Sequence, residues 1–379
     1  MTLRFIVLSR DPHSRARVGR VETAHGAFDT PAFMPVGTRA TVKALAPWQL
    51  EEVGAQIILG NTYHLTLRPG EELVAKLGGL HTFMGWSRPI LTDSGGYQVW
   101  SLAKLRKIDD EGARFNSHID GAPVLLTPES VVAIQRKLGS DILMPLDEPA
   151  ALPFEEKQAE GALVRTTKWL KRSERTWTVD RGPSDGALFG IIQGAIFKAL
   201  RLRAVADAVA LDLPGYAIGG LSLGESAETM YDVVDYTAAA LPEEKPRYLM
   251  GVGTPADIVR SVLLGIDMFD CVLPTRLGRN GWAFTSEGMI KIRNAEWKEF
   301  AGPVDPACSC ACCRSFSRAY IRHLFNVEEI LGLSMLSLHN LAYYLGLMKR
   351  IREAIAAGTL KALADDEQQR CPPLATRAE

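Results

Sequence analysis

The sequence predicts an α/β fold, a (β/α)8 TIM barrel with an N-terminal antiparallel strand insertion and a C-terminal zinc-binding subdomain. Short apolar runs recur along the chain, and segments with helical periodicity separate them. Because the runs are continuous rather than alternating, they are typical of parallel strands that are covered on both faces. Eight strand–helix units favour the barrel, with a doubly wound open sheet as the main alternative.

The eight apolar runs share a polar or glycine ending, and they cover residues 32–36, 56–61, 89–93, 141–147, 188–193, 215–220, 247–251 and 268–270. Helix starts are marked by Thr127-Pro128-Glu129 and by Thr254-Pro255-Ala256-Asp257, where an N-cap residue precedes proline. Further helices are predicted over residues 155–177, 197–211 and 225–240. Alternating residues at 3–7 and 16–21 indicate the N-terminal strands.

Composition describes an ordinary globular protein of 379 residues, with 47% hydrophobic and 23% charged residues. The N-terminus lacks the apolar stretch of a signal peptide, and no window approaches an uninterrupted membrane span, so we expect a cytoplasmic protein. The net charge of −1 gives no global attraction to nucleic acid, so any such binding must rest on local basic clusters. Two such clusters occur, at residues 168–175 and 314–323.

The chain is expected to divide into three parts. Residues 1–275 hold the barrel, the N-terminal strands and the active site; residues 276–345 hold a basic insertion and the zinc subdomain; residues 346–379 form a C-terminal helix and tail that pack on the barrel. Asp120-Gly121 predicts a hairpin turn in an insertion beside the barrel mouth. Helical periodicity begins at Val327 and is expected to fray from Asp365 onward.

Polar residues stand at the ends of the predicted strands, where the active sites of barrels lie. They are Asn61, Asp93, Asp147, Gln193, Gly220 and Asp270. A single carboxylate such as Asp270 could be a helix cap or part of an internal ion pair, because an unpaired buried carboxylate is costly. Capping alone does not explain six such endings around one ring, so the pattern predicts a functional site.

Four cysteines crowd into the stretch Cys308-Ser309-Cys310-Ala311-Cys312-Cys313. Cys308, Cys310 and Cys313 have a C-x-C-x2-C spacing, and His339 follows in a helical segment. Three thiolates and one imidazole complete a closed tetrahedral shell, which predicts one structural Zn²⁺ per subunit. Cys312 could replace Cys313, and four reduced thiols without a metal are the alternative interpretation.

Several motifs in this order resemble the bacterial-type tRNA-guanine transglycosylases, or queuine tRNA-ribosyltransferases, over almost the whole chain. The motifs are residues 60–65 (GNTYHL), 92–99 (TDSGGYQV), 190–194 (GIIQG), 248–253 (YLMGVG), 268–271 (MFDC) and the Cys3His set. The resemblance implies exchange of guanine at the wobble position of tRNAs with GUN anticodons (Asp, Asn, His, Tyr) for 7-aminomethyl-7-deazaguanine, in queuosine biosynthesis. It also implies a homodimer.

The resemblance assigns roles to the strand-end residues. Asp270 would be the nucleophile that forms a covalent intermediate with the ribose, and Asp93 the general acid and base. Asp147, Gln193 and the Gly220 amide would bind the purine edge, and Tyr97 and Met250 would sandwich it. The implied base-binding set is Asp93, Ser94, Gly95, Gly96, Tyr97, Asp147, Gln193, Gly220, Leu221 and Met250. The implied tRNA-binding set is Gly251, Val252, Gly253, Thr254, Pro255, Ala256, Asp257, Thr275, Arg276, Leu277, Gly278 and Arg279.

The chain departs from the family pattern in three places. Pro149 replaces a pocket cysteine, and Leu277 and Gly278 stand where Asn-Ala is more usual, which affects one expected tRNA contact. Leu223 is branched where the eukaryotic enzymes have glycine, so we expect it to exclude the cyclopentenediol of queuine, while the Leu221 carbonyl accepts from the aminomethyl group. Two other functions remain open from the sequence, namely a barrel glycosidase and a non-catalytic tRNA-binding subunit.

Overall fold

The structure is a computed structural model that describes residues 3–97, 106–150, 153, 155–179, 182 and 185–371. The predicted N-terminal strands are confirmed as an antiparallel sheet of Arg4–Arg10, Arg17–Thr23 and Gly26–Thr30, in that order. Val21 lies opposite Phe28 in this sheet, and both side chains are buried. They join an apolar cluster with residues of the parallel strands, so the sheet packs against them.

Each of the eight predicted runs contains a parallel strand. In the part of the chain that the structure describes, these strands form two five-stranded sheets. One sheet has the order Ala187–Leu188, Ile142–Leu143, Ile90–Asp93, Ile58–Asn61, Val36–Gly37, and the other Gly190–Ile192, Tyr216–Ile218, Arg247–Leu249, Met268–Asp270, Ala32–Met34. The two sheets meet along the chain at both edges. Only Pro35 separates Ala32–Met34 from Val36–Gly37, and only Phe189 separates Ala187–Leu188 from Gly190–Ile192.

Helices follow the parallel strands and cover them. Their bounds are Pro47–Glu52, Thr62–Leu67, Glu71–Lys76, Gly79–Met84, Pro128–Leu138, Glu156–Thr178, Lys198–Val209, Ala227–Ala240, Pro255–Leu263 and Leu273–Arg279. The two predicted helix starts are confirmed, because the Thr127 hydroxyl accepts from Ser130 N (3.1 Å) and the Thr254 hydroxyl from Asp257 N (3.2 Å). These bonds satisfy amides that have no partner within the helix.

Two antiparallel additions flank the parallel strands. Arg106–Ile108, Ala113–Asn116 and Pro123–Leu126 form a three-stranded sheet within the described residues. The predicted hairpin turn is confirmed, and Gly121 in that turn has a φ of +75°, which glycine adopts without strain. Trp282–Thr285 and Gly288–Lys291 form a second hairpin directly after Leu273–Arg279.

The C-terminal region is helical and well packed. It comprises the 3-10 turn Ala295–Glu299 and the helices Ala311–Ser315, Arg318–Asn326, Ile330–Ala357 and Leu360–Arg370. By length and composition Ile330–Ala357 could cross a membrane, but 56% of its most apolar window is buried inside the molecule, as in a core helix.

The expectation that the helix frays from Asp365 is wrong. Leu360–Arg370 continues past that residue because Glu367 is buried, accepts from Tyr343 Oη (2.9 Å) and pairs with Arg350 (2.9 Å).

Candidate active site and metal centre

All six predicted strand-end residues line one cavity of about 360 Å³. The parallel strands bring them together, because the carboxyl ends of such strands lie at the same edge. The remaining lining comes from the loops that follow the strands and from their last residues: Val36, Thr38, Leu59, His64, Ser94, Gly95, Gly96, Tyr97, Pro149, Gly219, Leu221, Ser222, Leu223, Tyr248, Met250, Gly251, Cys271 and Val272. Three carboxylates therefore face one small volume.

Asp93 is held by neutral donors of the neighbouring strand end. Asn61 Nδ2 donates to Oδ2, and the backbone N of Thr62 donates to Oδ1 at 3.0 Å. Burial, together with the nearby charge of Asp270, raises the pKa of Asp93 from 3.8 to about 7, although hydrogen bonds from backbone amides partly offset both effects. A carboxyl group with a pKa close to neutral can both give and take a proton.

Asp270 lies at the end of Met268–Asp270 and receives two hydrogen bonds on the same oxygen. Tyr248 Oη donates to Oδ1 at 2.6 Å, and the Gly251 amide donates to Oδ1 at 2.7 Å. Burial raises the pKa of Asp270, and these two donors oppose the rise. Both donors are neutral, so they hold the carboxylate in place without pairing it with a positive charge.

Asp147 forms the third acidic corner of the cavity. Ser94 Oγ donates to Oδ1 (3.1 Å) and Gln193 Nε2 to Oδ2 (2.7 Å). Burial raises the pKa of Asp147 to about 6, although these two hydrogen bonds act in the opposite direction. Gln193 Oε1 is buried and has no hydrogen-bond partner among the described residues.

Two glycines are required by the closeness of these side chains. A Cβ at Gly220, where φ is +66°, would lie 2.2 Å from Gln193 Oε1, and a Cβ at Gly96 would lie 2.8 Å from Asp147 Oδ1. Since real Cβ atoms do not approach so closely, any side chain at either position would displace the acidic and amide groups of the cavity.

A buried arginine supports the loop that carries Gly220. The Arg201 guanidinium donates to the carbonyl oxygens of Ile192 and Gly219, each at 2.8 Å, and of Ala195, also at 2.8 Å. Burial lowers the pKa of Arg201 to about 10. Beyond this loop the Glu225 carboxylate accepts from the amides of Ser222 and Leu223.

The residues expected to sandwich a base and to select its substituent also lie at the cavity. Tyr97 is 46% exposed there, and Met250 lines the same space. Leu221, Leu223 and Pro149 line it too, so the three residues that are expected to affect the choice of base lie at the cavity. Gln98 and Val99 of the predicted motif lie outside the described residues.

The residues expected to contact tRNA differ in accessibility. Gly251 and Arg276 are exposed, whereas the side chains from Val252 to Asp257 are buried in the loop and in the start of Pro255–Leu263. Thr275 and Gly278 are also buried, and a Cβ at Gly278 would lie 2.8 Å from Ser337 Cα. Gly278 therefore permits close packing of Leu273–Arg279 on Ile330–Ala357.

The predicted metal ligands come together. Cys308, Cys310, Cys313 and His339 have their ligand atoms within 4.8 Å of one another, and this group contains Cys313 rather than Cys312. His339 Nε2 lies 2.8 Å from the Phe284 carbonyl oxygen, which fixes the proton on Nε2 and turns Nδ1 toward the sulfur atoms. The group can hold a metal ion.

Sequence reasoning missed some residues that shape the site. The sequence marks Tyr248 only as part of a motif, whereas in the structure its hydroxyl donates to Asp270. A tyrosine within an apolar strand is a usable signal, because a buried hydroxyl needs a partner. No local pattern distinguishes Arg201 from other helical arginines; only the tertiary structure shows that it reaches the strand ends.

The fold and this site define an α/β enzyme with several carboxylates at one mouth, as group transfer at a sugar carbon requires. A family model described as queuine tRNA-ribosyltransferase matches residues 11–373. The chain is similar to queuine tRNA-ribosyltransferases of Acetivibrio thermocellus (51% identical; 96% of each chain covered), Desulfosudis oleivorans (55%; 93% of this chain and 91% of the relative) and Desulforudis audaxviator (52%; 98% and 99%). The chain belongs to the queuine tRNA-ribosyltransferase family. It is a pentosyltransferase, a tRNA-guanine transglycosylase by activity.

Proposed function

We propose that the chain exchanges guanine at the wobble position of GUN-anticodon tRNAs for 7-aminomethyl-7-deazaguanine, through a covalent Asp270–ribose intermediate. The observation that carries this proposal is the placement of Asp93 and Asp270 in one cavity, each partly buried and each hydrogen-bonded to neutral donors. The target nucleotide must leave its stack to reach such a pocket.

The two carboxyl groups divide the chemistry. Both hydrogen bonds described above fall on Oδ1 of Asp270, so we assign the attack to Oδ2. Its bond to the ribose C1′ forms as the bond from C1′ to guanine N9 breaks, and Asp93 gives a proton to the departing base. The incoming base then loses its N9 proton to Asp93 and attacks C1′, which releases Asp270.

Base recognition follows from the third carboxylate and the adjacent amide. Asp147 accepts from the amino and ring N–H groups of the purine, and Gln193 and the Gly220 amide bind its carbonyl oxygen. Gln193 Nε2 donates to Asp147 in this structure (2.7 Å). When the base binds, that hydrogen bond is replaced by one from Gln193 to the carbonyl oxygen of the base and one from the base to Asp147. Tyr97 and Met250 cover the two faces of the ring, and Ser94, Gly95 and Gly96 complete the wall.

Selectivity among 7-deazaguanines is assigned to the loop after Tyr216–Ile218. The Leu221 carbonyl accepts from the aminomethyl group, and the branched Leu223 side chain excludes the cyclopentenediol of queuine. Incorporation of free queuine as efficiently as the aminomethyl base would contradict this assignment. Pro149 stiffens the wall where many relatives in the bacterial pattern carry cysteine.

The tRNA is proposed to lie across residues 251–257 and 275–279. Gly251 is exposed at the cavity and Arg276 is exposed at the surface, which supports this assignment, because basic side chains contact the phosphates of nucleic acids. A homodimer that acts in the cytoplasm is proposed as well, in which one subunit holds the tRNA and the other braces it.

The architecture is proposed to be a closed (β/α)8 barrel. Pro35 alone separates the edge strands Ala32–Met34 and Val36–Gly37, and its carbonyl accepts from Leu59 N (3.0 Å). Phe189 alone separates the other two edge strands, and its N donates to Leu143 O (3.0 Å). These contacts support joining the two sheets into one ring. The division into residues 1–275, 276–345 and 346–379 is proposed with it, although residues 372–379 lie outside the described part.

One structural Zn²⁺ per subunit is proposed at Cys308, Cys310, Cys313 and His339. The donor set fits this ion, because three sulfurs and an imidazole whose other nitrogen is already hydrogen-bonded make a closed tetrahedral shell. The ion would supply stability to the region around Ala311–Ser315 and leaves no position for a reacting water.

Radiolabelled guanine tests the proposal directly. Wild-type protein and an unmodified GUN-anticodon tRNA should give label uptake and a tRNA adduct that survives denaturation, whereas Asp270→Asn should give neither. Asp232→Asn, an exposed change outside the cavity, is the matched control and should behave as wild type. Equal uptake by Asp270→Asn would remove Asp270 from its role, and tRNA binding without uptake by wild type would favour a non-catalytic subunit.

A further inference from the structure

A second cluster of metal-binding side chains lies near the amino ends of the parallel strands, away from the cavity. Asp141 directly precedes Ile142–Leu143, His25 occupies the turn between Arg17–Thr23 and Gly26–Thr30, and His81 lies in Gly79–Met84. The ligand atoms of these three residues are within 4.8 Å of one another. Neither the proposed reaction nor the Cys3His centre uses them.

The distances suit a single ion. His25 Nδ1 is 2.9 Å from Asp141 Oδ1, and His81 Nε2 is 3.2 Å from Asp141 Oδ2. A Zn²⁺-like ion about 2.0–2.2 Å from each donor holds neighbouring donors roughly 2.9–3.5 Å apart. The side chain of Asp141 is fully buried and that of His81 is 11% exposed, whereas His25 is 38% exposed and closes the cluster toward solvent.

The carboxylate of this cluster is ionised and already oriented. Burial opposes ionisation of Asp141, but the adjacent His81 ring and the hydrogen bonds from the Ile90 amide and His25 outweigh it, so the pKa is below its ordinary value. The Ile90 amide donates to Oδ2 (2.9 Å) and the His25 amide to Oδ1 (3.2 Å). Backbone groups therefore fix the position of Asp141, as the groups around a metal ligand usually do.

A set of hydrogen bonds without a metal satisfies the cluster less well. His81 Nε2 is buried and, among the described residues, makes no hydrogen bond of acceptable geometry, although it lies close to Asp141. The two imidazole rings are stacked, with centroids 3.6 Å apart and planes at 20°. Two protonated rings in this arrangement would repel each other, whereas two neutral rings can share one cation.

We propose that His25, His81 and Asp141 bind a divalent transition-metal cation, with water completing its shell. Two imidazoles and one carboxylate are a donor set that suits Zn²⁺, Ni²⁺, Cu²⁺ or Fe²⁺ rather than Ca²⁺ or Mg²⁺. The ion joins the N-terminal hairpin to the helix Gly79–Met84 and to the start of Ile142–Leu143. This second site goes beyond the transfer reaction and stabilises the end of the fold opposite to the cavity.

Nickel titration of tag-free protein tests the site. The protein is first loaded with one Zn²⁺ per chain, enough to fill only the thiolate centre, and Ni²⁺ binding is then followed by calorimetry, with zinc content measured to show that the thiolate centre keeps its ion. We expect one Ni²⁺ per chain, and weaker binding by roughly 100-fold or more in His25→Ala and His81→Ala. His13→Ala, which changes an exposed histidine outside the cluster, should match wild type.

The outcomes separate this site from the transfer reaction. Broadening of the His25 and His81 ring-proton signals by Ni²⁺, with guanine exchange retained in His25→Ala, supports the proposal. Absence of Ni²⁺ binding in wild type, or unchanged affinity in His25→Ala, overturns it and leaves a hydrogen-bonded triad. If His81→Ala does not fold, His25→Ala decides, since its ring is partly exposed.

Discussion

An aspartate stands at each end of the strand Met268–Asp270, and the two carboxylates accept from different kinds of donor. Asp267, just before the strand, accepts from Arg17 Nε at 2.9 Å and Nη2 at 2.7 Å, and from the Arg247 amide at 2.8 Å. Asp270, at the other end, accepts from Tyr248 and from the Gly251 amide, which carry no charge. Asp267 is fully buried, whereas Asp270 is partly exposed at the cavity. The structural aspartate is therefore enclosed and paired with a cation, and the reactive one is open to a ligand and held by neutral donors.

The same contrast extends to neighbouring strands. At the amino ends Asp141 meets two histidines, and at the carboxyl ends Asp93 and Asp147 meet Asn61, Thr62, Ser94 and Gln193. Bidentate pairing with arginine fixes a carboxylate in its charged form. Neutral donors hold a carboxylate in position while leaving its proton exchangeable, and this is the property that acid–base chemistry needs.

Removal of the cation at the structural end should have the largest effect. Arg17→Met leaves Asp267 buried without its guanidinium, and loss of one partner from a buried pair costs roughly 3–5 kcal/mol of unfolding free energy. Arg17 and Asp267 are 1% and 0% exposed, so solvent cannot replace the lost partner. Urea denaturation followed by circular dichroism measures the change.

The double variant Arg17→Met with Asp267→Asn is the matched control, and it should recover much of that loss because no unpaired charge remains. Guanine exchange per folded molecule should stay near the wild-type level in both variants. A loss below about 1 kcal/mol in Arg17→Met would show that the pair does not stabilise this end of the strand.

At the reactive end, Tyr248→Phe should lower activity in a pH-dependent way. The Tyr248 hydroxyl opposes the rise in the pKa of Asp270 that burial causes, so its loss should raise that pKa further and reduce the ionised nucleophile. A hydrogen bond to a charged group is worth about 1.5–3 kcal/mol, which corresponds to roughly 10–100-fold slower exchange at pH 6.

The rate of Tyr248→Phe should recover as the pH is raised, and the pH profile of guanine exchange measures this. Tyr216→Phe is the control, because Tyr216 is a buried tyrosine on the neighbouring strand and does not line the cavity. A uniform loss at every pH would mean that Tyr248 positions the substrate instead.

The contrast between the strand ends was partly readable from the sequence. Continuous apolar runs with polar endings predicted the strands and brought Asp93, Asp147 and Asp270 to one edge, because side-chain periodicity and parallel order determine which ends meet. The Cys3His ligands were predictable because their spacing and donor chemistry are local.

Partners that lie far apart in sequence could not be assigned. Arg17 and Asp267 are 250 residues apart, and His25 and Asp141 are 116 residues apart. No periodicity links such positions, since their proximity depends on how the N-terminal sheet packs on the strands. The C-terminal helix extends further than expected for the same reason, because Glu367 pairs with Arg350 of the preceding helix.

The smallest expected effect is the pH dependence of stability at the reactive end. The folded state raises the pKa of Asp93 from 3.8 to about 7, mainly through burial, so between these values the folded chain binds more protons than the unfolded chain. Stability from this group therefore falls as the pH rises, by no more than about 1.4 kcal/mol per pH unit. Asp147, whose pKa is raised to about 6, adds to the fall in stability only below that pH.

Asp93→Asn should make the fall in stability between pH 6 and 7 shallower in urea titrations. Asp120→Asn is the control and should leave the fall unchanged, because Asp120 is an exposed carboxylate whose pKa is lowered by a hydrogen bond from Ser117. An unchanged slope in Asp93→Asn would mean that Asp93 titrates alike in both states, and the neutral donors around it would then not distinguish it from a solvated aspartate.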